Sequence, residues 1–194
     1  MYVGLIVPLK TLTVKELQPF RDSKKLSETQ RASCFEQIQI LQKKGKLIAV
    51  SAFATVEEID QYGMTNAEHI AIIRGVRKIT PPLIAPLHLV IDGKADFKLK
   101  QHYPHREITT IIDGDNKIKE IGMASIIAKV SRDTVMQTLP KKYHKYGFAQ
   151  HKGYGTKLHK EKIAHYGPSN LHRKLFLKRL FPDHTVQRKL PTLC

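Results

Sequence analysis

Acidic residues are scarce in this sequence: 17 aspartates and glutamates stand against 33 lysines and arginines in 194 residues, a formal charge of +16. The excess runs along much of the chain instead of gathering in one tail. Such a balance turns the chain away from cationic partners and towards polyanions, nucleic acid first. A solvated basic face is the plain alternative, and charge alone does not separate an enzyme from a basic, ribosomal-type RNA-binding protein. Cysteine is nearly absent. Cys34 falls within a helical pattern and Cys194 at the terminus, so no disulfide framework is expected and a reducing, cytoplasmic location is. No apolar run approaches the roughly 20 residues of a membrane span. The start, M-Y-V-G-L-I-V-P, is too short in apolar residues for a secretory signal. Hydrophobic residues make up 41%, enough for a sizeable core in a single domain over residues 1–182, followed by a polar tail at 183–194.

Periodicity gives an alternation of strands and helices. Residues 2–7 are an apolar run stopped by Pro8, and read as a buried strand. Ser27 with Gln30 forms a capping box ahead of a stripe of Phe35, Ile38 and Leu41 that ends at Gly45. Residues 47–54 are apolar at both alternating sets except Ser51, which predicts a strand covered on both faces of a layered α/β domain. Thr55 and Glu58 make a second capping box. Ile70, Ile73, Val76 and Ile79 form a helical face closed by Pro81 and Pro82. Two further strands, 86–91 and 107–112, deliver Asp92-Gly93 and Asp113-Gly114-Asp115 at their carboxyl ends, and 121–139 predicts a long helix.

Carboxylates at strand ends suit Mg²⁺ or Mn²⁺, because hard ions prefer oxygen and strands hold oxygens in fixed positions. Asp92 and Asp115 fit that role, with Asp113 competing in the second loop; an Asp-Gly that merely turns the chain is the plain alternative at each. Ser125 and Lys129 stand four residues apart on one helical face and could reach one phosphate; a packing serine and a solvated lysine remain open. Lys24, in the loop containing Asp22, Ser23 and Lys25, reads either as a backbone contact or as a charged capping loop. In residues 148–159, F-A-Q-H-K-G-Y-G-T-K-L-H, Gly153 and Gly155 free the backbone around Tyr154, whose ring and hydroxyl could face a nucleic-acid strand. An ordinary turn with an exposed aromatic is the alternative. His151, His159, Lys152 and Lys157 supply donors for phosphate. The five histidines from His144 to His172 lack a cysteine partner, so they read as surface or phosphate-contacting groups instead of a zinc site.

Together, D-S-K-K-L-S from Asp22, V-I-D-G from Val90, G-D at Gly114, A-S-I-I-A-K-V-S-R-D from Ala124, Y-G-F-A-Q-H-K-G-Y-G-T-K-L-H from Tyr146 and H-R-K from His172 closely resemble bacterial ribonuclease HII. The match runs over residues 3–181. The resemblance implies a ribonuclease H-like α/β fold, a mixed sheet flanked by helices with a helical C-terminal extension starting about Met136. It implies a monomer that cuts the RNA strand of RNA/DNA hybrids and acts at ribonucleotides embedded in duplex DNA. Four carboxylates in that family bind two Mg²⁺ or Mn²⁺ ions; Asp92 resembles the third and Asp115 the fourth. Tyr154 resembles the tyrosine that stacks under the ribose at the junction, with Gly153 and Gly155 beside it. Ser125, Lys129 and Lys24 resemble phosphate contacts.

One departure is specific. The family's first strand ends in D-E-A-G-R-G and carries the first two carboxylates, and these 194 residues contain no such segment. The 2–8 run resembles the family's second strand. The resemblance therefore implies a polypeptide nearly inactive as a nuclease, with open strand edges that favour aggregation. A hybrid-binding remnant without turnover is the alternative.

Overall fold

The computed structural model describes residues 1–20, 26–79, 88–139 and 143–181. Lys24 with its basic loop, Pro81 and Pro82, Pro86, and the 183–194 tail lie outside the described residues. β1 (Tyr2–Pro8) and β2 (Leu47–Phe53) pair antiparallel, with Tyr2 opposite Phe53 and Pro8 opposite Leu47. Between them run a single turn, α1 (Val14–Leu17), and α2 (Glu28–Lys43). The Ser27 capping box closes as expected. Gln30 N–H donates to Ser27 Oγ at 3.2 Å, and Ser27 N–H donates to the Gln30 side-chain oxygen at 2.9 Å. Thr55 and Glu58 repeat the device, with the two return bonds at 2.9 and 3.2 Å. α3 (Val56–Ile79) therefore starts well ahead of its apolar stripe. It breaks at Gly63, whose φ of 78° is non-helical.

β2 departs from the expected two-sided burial. Only Leu47 and Ala52 are fully buried, while the residues between them are half-buried and Phe53 is exposed. The reason is topological: among the described residues β2 pairs only with β1, and the sheet they form has two strands. A second two-stranded sheet joins β3 (Leu89–Asp92) to β4 (Ile108–Ile111) in parallel, Asp92 lying opposite Ile111. The one-turn α4 (Leu99–His102) occupies the crossover. After β4 come α5 (Gly114–Lys117) and the long α6 (Lys119–Thr138). The C-terminal extension is a 3₁₀ turn (His144–Tyr146) followed by α7 (Phe148–His151), α8 (Lys157–Tyr166) and α9 (Lys174–Leu180).

α6 is the spine of the molecule and packs against β1, β2, α2 and β3. Its buried Met123, Ile126 and Ile127 join Ile38 and Leu41 of α2 and Leu47 of β2 in the main core. Gly4 explains how β1 comes so close to this helix. A Cβ at that position would stand 2.0 Å from the Ala124 carbonyl oxygen. Gly75 does the same for α3, since a Cβ there would meet the Leu5 side chain at 2.2 Å.

The two sheets face one another across a hollow of about 460 Å³. One wall is β1 from Tyr2 to Ile6, the other is β3, and Ala124, Ser125 and Ala128 of α6 form the floor. Among the described residues β1 bonds only to β2 and β3 only to β4, so each has one edge without a strand partner. Asp92, at the carboxyl end of β3, lines that hollow.

Candidate active site

β3 and β4 run parallel, so their carboxyl ends lie side by side and bring Asp92 to the loop carrying Asp115. Gly114 N–H donates to Asp92 Oδ1 at 2.8 Å, tying the exposed Asp92 to that loop. Gly114 is also confined: a Cβ there would meet Ile121 at 2.8 Å and Asp92 Oδ1 at 3.2 Å. Of the two acids that sequence left in competition, Asp115 is turned inward and Asp113 is not. Asp115 is 3% exposed, whereas Asp113 lies on the surface with a left-handed backbone, φ 55°, that starts α5. Asp92 and Asp115 offer only carboxylate oxygens, the donor type hard divalent cations take. Among the described residues no three His, Cys, Asp or Glu side chains gather as a metal cluster.

From the carboxylates the site continues along one face of α6. Ser125 lines the same hollow as Asp92, and Lys129 Nζ donates to Ser125 Oγ at 2.9 Å. Lys129 in turn lines a neighbouring cleft with Arg31, Gln150, Lys152 and Tyr154. The helical spacing that predicted a shared face is thus realised as a bond, and it joins two clefts. Tyr154 is 59% exposed, with its ring stacked over the guanidinium of Arg132, whose Cζ lies 4.4 Å from the ring centroid. Arg132 also donates to the Lys152 carbonyl at 2.6 Å. Arg132 was missed in the sequence reading. The signal was there, since it follows Lys129 by three residues on the same helical face.

The turn carrying Tyr154 has left-handed backbone at Lys152 (φ 49°) and Gly153 (φ 76°), as the first glycine suggested. Gly155 departs from the expectation. Its φ is not in the left-handed region, and a Cβ there would rest at an ordinary 3.5 Å from the Phe176 ring. The histidines depart further. His151, His159 and His172 are 7%, 2% and 2% exposed, so they face the interior and not a phosphate. Their rings stack among Phe148 and Phe176, where aromatic packing and internal acceptors replace water. Lys152 donates to the Ala149 carbonyl at 2.8 Å and lies 3.6 Å from Glu28, while Lys157 is exposed beside Glu161.

Comparison with known proteins identifies the family. The family model described as ribonuclease HII matches residues 1–181. Ribonuclease HII of Thermosynechococcus vestitus is 37% identical over 181 residues, covering 93% of this chain and 77% of that protein. The Shewanella piezotolerans enzyme of the same name is 42% identical over 157 residues, 80% of this chain and 71% of its own. In fold, the chain superposes on ribonuclease HII from a PCNA complex of Archaeoglobus fulgidus with a TM-score of 0.67, at 20% identity, covering 98% of this chain and 90% of that one. Ribonuclease H2 of Pyrococcus horikoshii gives 0.61 at 22% identity, covering 95% and 100%. The α/β arrangement of mixed strand pairing flanked by helices is the one these structures share. The chain belongs to the ribonuclease HII family.

Proposed function

We propose that this chain binds RNA/DNA hybrids and DNA duplexes containing ribonucleotides through the Tyr154 cleft, and presents the bound strand to the Asp92–Asp115 end of the sheet for hydrolysis. Family membership gives the ribonuclease class and excludes the ribosomal-type reading. The observation that carries the finer reading is the Lys129–Ser125 hydrogen bond, which makes the carboxylate hollow and the tyrosine cleft two ends of one path. A phosphodiester strand laid along that path meets an aromatic face at one end, an ammonium and a hydroxyl midway, and carboxylates at the other.

Asp92 and Asp115 are the residues that would hold Mg²⁺ or Mn²⁺, which when bound activates water and stabilises charge at the leaving oxygen. The chain's own groups divide the remaining work. Gly114 N–H fixes the orientation of Asp92, Ser125 and Lys129 offer donors to a non-bridging phosphate oxygen, and Tyr154 offers a ring to the ribose or base beside it. Lys24 stands as a further phosphate contact by resemblance. Two carboxylates make an incomplete cradle for two ions. We therefore expect a polypeptide of these 194 residues to bind hybrids and to cleave them poorly.

The experiment is binding and cleavage of a duplex with one embedded ribonucleotide, compared with the same duplex in all-DNA form. Preference for the ribonucleotide duplex that is lost in Tyr154→Ala supports the reading; equal affinity for both duplexes, unaffected by that substitution, refutes it. The hybrid-binding alternative is favoured by salt-dependent binding with no metal-dependent product at any enzyme concentration.

A further inference from the structure

Three buried histidines outside the carboxylate end form a chain whose protons are fixed by their neighbours. Ser169 N–H, which can only donate, points at His172 Nδ1 at 2.9 Å, and Ser169 Oγ, which can donate or accept, lies 2.8 Å from the same nitrogen. The proton of a neutral His172 therefore sits on Nε2, which lies 3.0 Å from His159 Nε2. His159 must accept there, so its own proton sits on Nδ1 and is donated to the Tyr154 carbonyl at 2.9 Å. His151 follows the same logic: Gly153 N–H donates to its Nδ1 at 3.1 Å, and its Nε2–H donates to the Tyr146 carbonyl at 2.7 Å. The rings of His151 and His159 stack at 4.1 Å with 18° between planes. One set of tautomers satisfies every one of these bonds, and it is wholly neutral.

We propose that His159 and His172 are positioning residues for Tyr154: linked head to tail as neutral rings, they pin the Tyr154 carbonyl and so aim its exposed ring, and protonation on acidification breaks the His159–His172 link, freeing the His159 ring to shift with the Tyr154 carbonyl it holds. The consequence for substrate rests on the reading of Tyr154 given above; the positioning itself does not. A proton added to His159 places an N–H against the His172 N–H, and a proton added to His172 Nδ1 meets Ser169 N–H and has as acceptor Ser169 Oγ, which already accepts from Leu171 N–H at 3.2 Å. A proton added to His151 opposes Gly153 N–H in the same way. The hollow beside His159 and His172 is lined by the cations Arg132, Arg173 and the Met1 amino group, and no carboxylate lines it among the described residues. The Tyr146 ring lies against His172 at 5.0 Å between centroids. Burial holds the His159 pKa below its ordinary 6.5, against the opposing effect of its bond to Tyr154, and a charge on His151 would lower it further. With a lowered folded value, the relay is intact above about 6.5 and is lost as pH falls through that lowered value.

The test uses the full chain and two readouts. Ring ¹⁵N and ¹H NMR without nucleic acid should give Nδ1–H for His159 and Nε2–H for His172 at about pH 7.5, and the Tyr154 ring signals should move together with the His159 titration on acidification. The affinity ratio between ribonucleotide-containing and all-DNA duplexes should fall about tenfold between about pH 7.5 and about pH 5.5. Exposed histidines gaining charge would strengthen binding to both duplexes, so the ratio isolates Tyr154. His172→Phe should bring the neutral-pH ratio to the acid value and abolish its pH dependence; His172→Gln, which keeps a side-chain N–H, should restore part of it. Where neither variant folds, the wild-type titration decides. Tyr154 signals that stay fixed while His159 titrates, or a His159 pKa at or above 6.5, overturn the positioning role. Moving Tyr154 signals with an unchanged affinity ratio would instead uphold the positioning and refute only the substrate role of Tyr154.

Discussion

Gly114 N–H donates to Asp92 Oδ1 at 2.8 Å, so a carboxylate at the end of one strand is oriented by the backbone immediately before a second carboxylate, Asp115. Parallel pairing of β3 with β4 makes this possible. The metal-binding reading of the two acids depends on it. Asp92→Asn should therefore weaken Mn²⁺ binding by at least about tenfold, as should Asp115→Asn, while Asp113→Asn on the surface should leave it within about twofold. Titration calorimetry or Mn²⁺ paramagnetic resonance on the folded variants measures this; equal losses from Asp113→Asn and Asp115→Asn would contradict the assignment.

Lys129 should contribute through charge. Removing one phosphate contact lowers the slope of log affinity against log salt by roughly 0.7 to 0.9. Lys129→Ala should reduce the slope by about that amount, and weaken hybrids and plain duplexes alike. A variant that loses affinity with no change in slope would place Lys129 away from the backbone.

Gly4 is required by distance. Its missing Cβ would stand 2.0 Å from a backbone oxygen of α6, and neither partner is a flexible side chain. Gly4→Ala should destabilise the fold by about 1–3 kcal/mol or more, read as a lower midpoint in urea. Gly45→Ala has open space but a positive φ of 64°, and should cost only about 1 kcal/mol.

Acid should loosen the contact between the two halves of α3, on either side of Gly63. Arg74 donates to both oxygens of Glu58 and to the Phe53 carbonyl. Its side-chain bonds first, and the Thr55 N–H next, hold the Glu58 pKa at about 2 instead of 4.5. A lowered carboxylate value contributes stability that is present above about 4.5 and is lost as pH falls towards about 2. Glu58→Gln should flatten the dependence of the urea midpoint on pH across that window; a variant with the wild-type slope would show the pair to be inert.

Much of this architecture is written locally. Both capping boxes, Ser27 with Gln30 and Thr55 with Glu58, close as spacing predicts, because the bonds join residues three apart and need no tertiary context. Ser125 and Lys129 are legible for the same reason. Burial of β2 was overestimated because an apolar run does not say how many strands flank it. The histidines were misread because His151, His159 and His172 lie on α7, on α8 and after it, and their packing follows from how these elements fold together. Gly155 was over-interpreted: a glycine permits an unusual dihedral without requiring one.

Open edges should also show in solution. β1 and β3 each carry one edge without a strand partner among the described residues, around an apolar hollow, and such edges associate. Light scattering coupled to size exclusion should give self-association that grows with concentration; a monomer with a cooperative melt at every concentration would contradict this.

The most direct measurement is single-turnover cleavage of a duplex with one embedded ribonucleotide, in Mg²⁺ and then Mn²⁺, by a polypeptide of these 194 residues beside the full-length Thermosynechococcus vestitus relative. Binding should depend on Tyr154, and cleavage should be far slower than the relative's and abolished by Asp92→Asn. Cleavage at the relative's rate, or residual cleavage indifferent to Asp92→Asn, would contradict it.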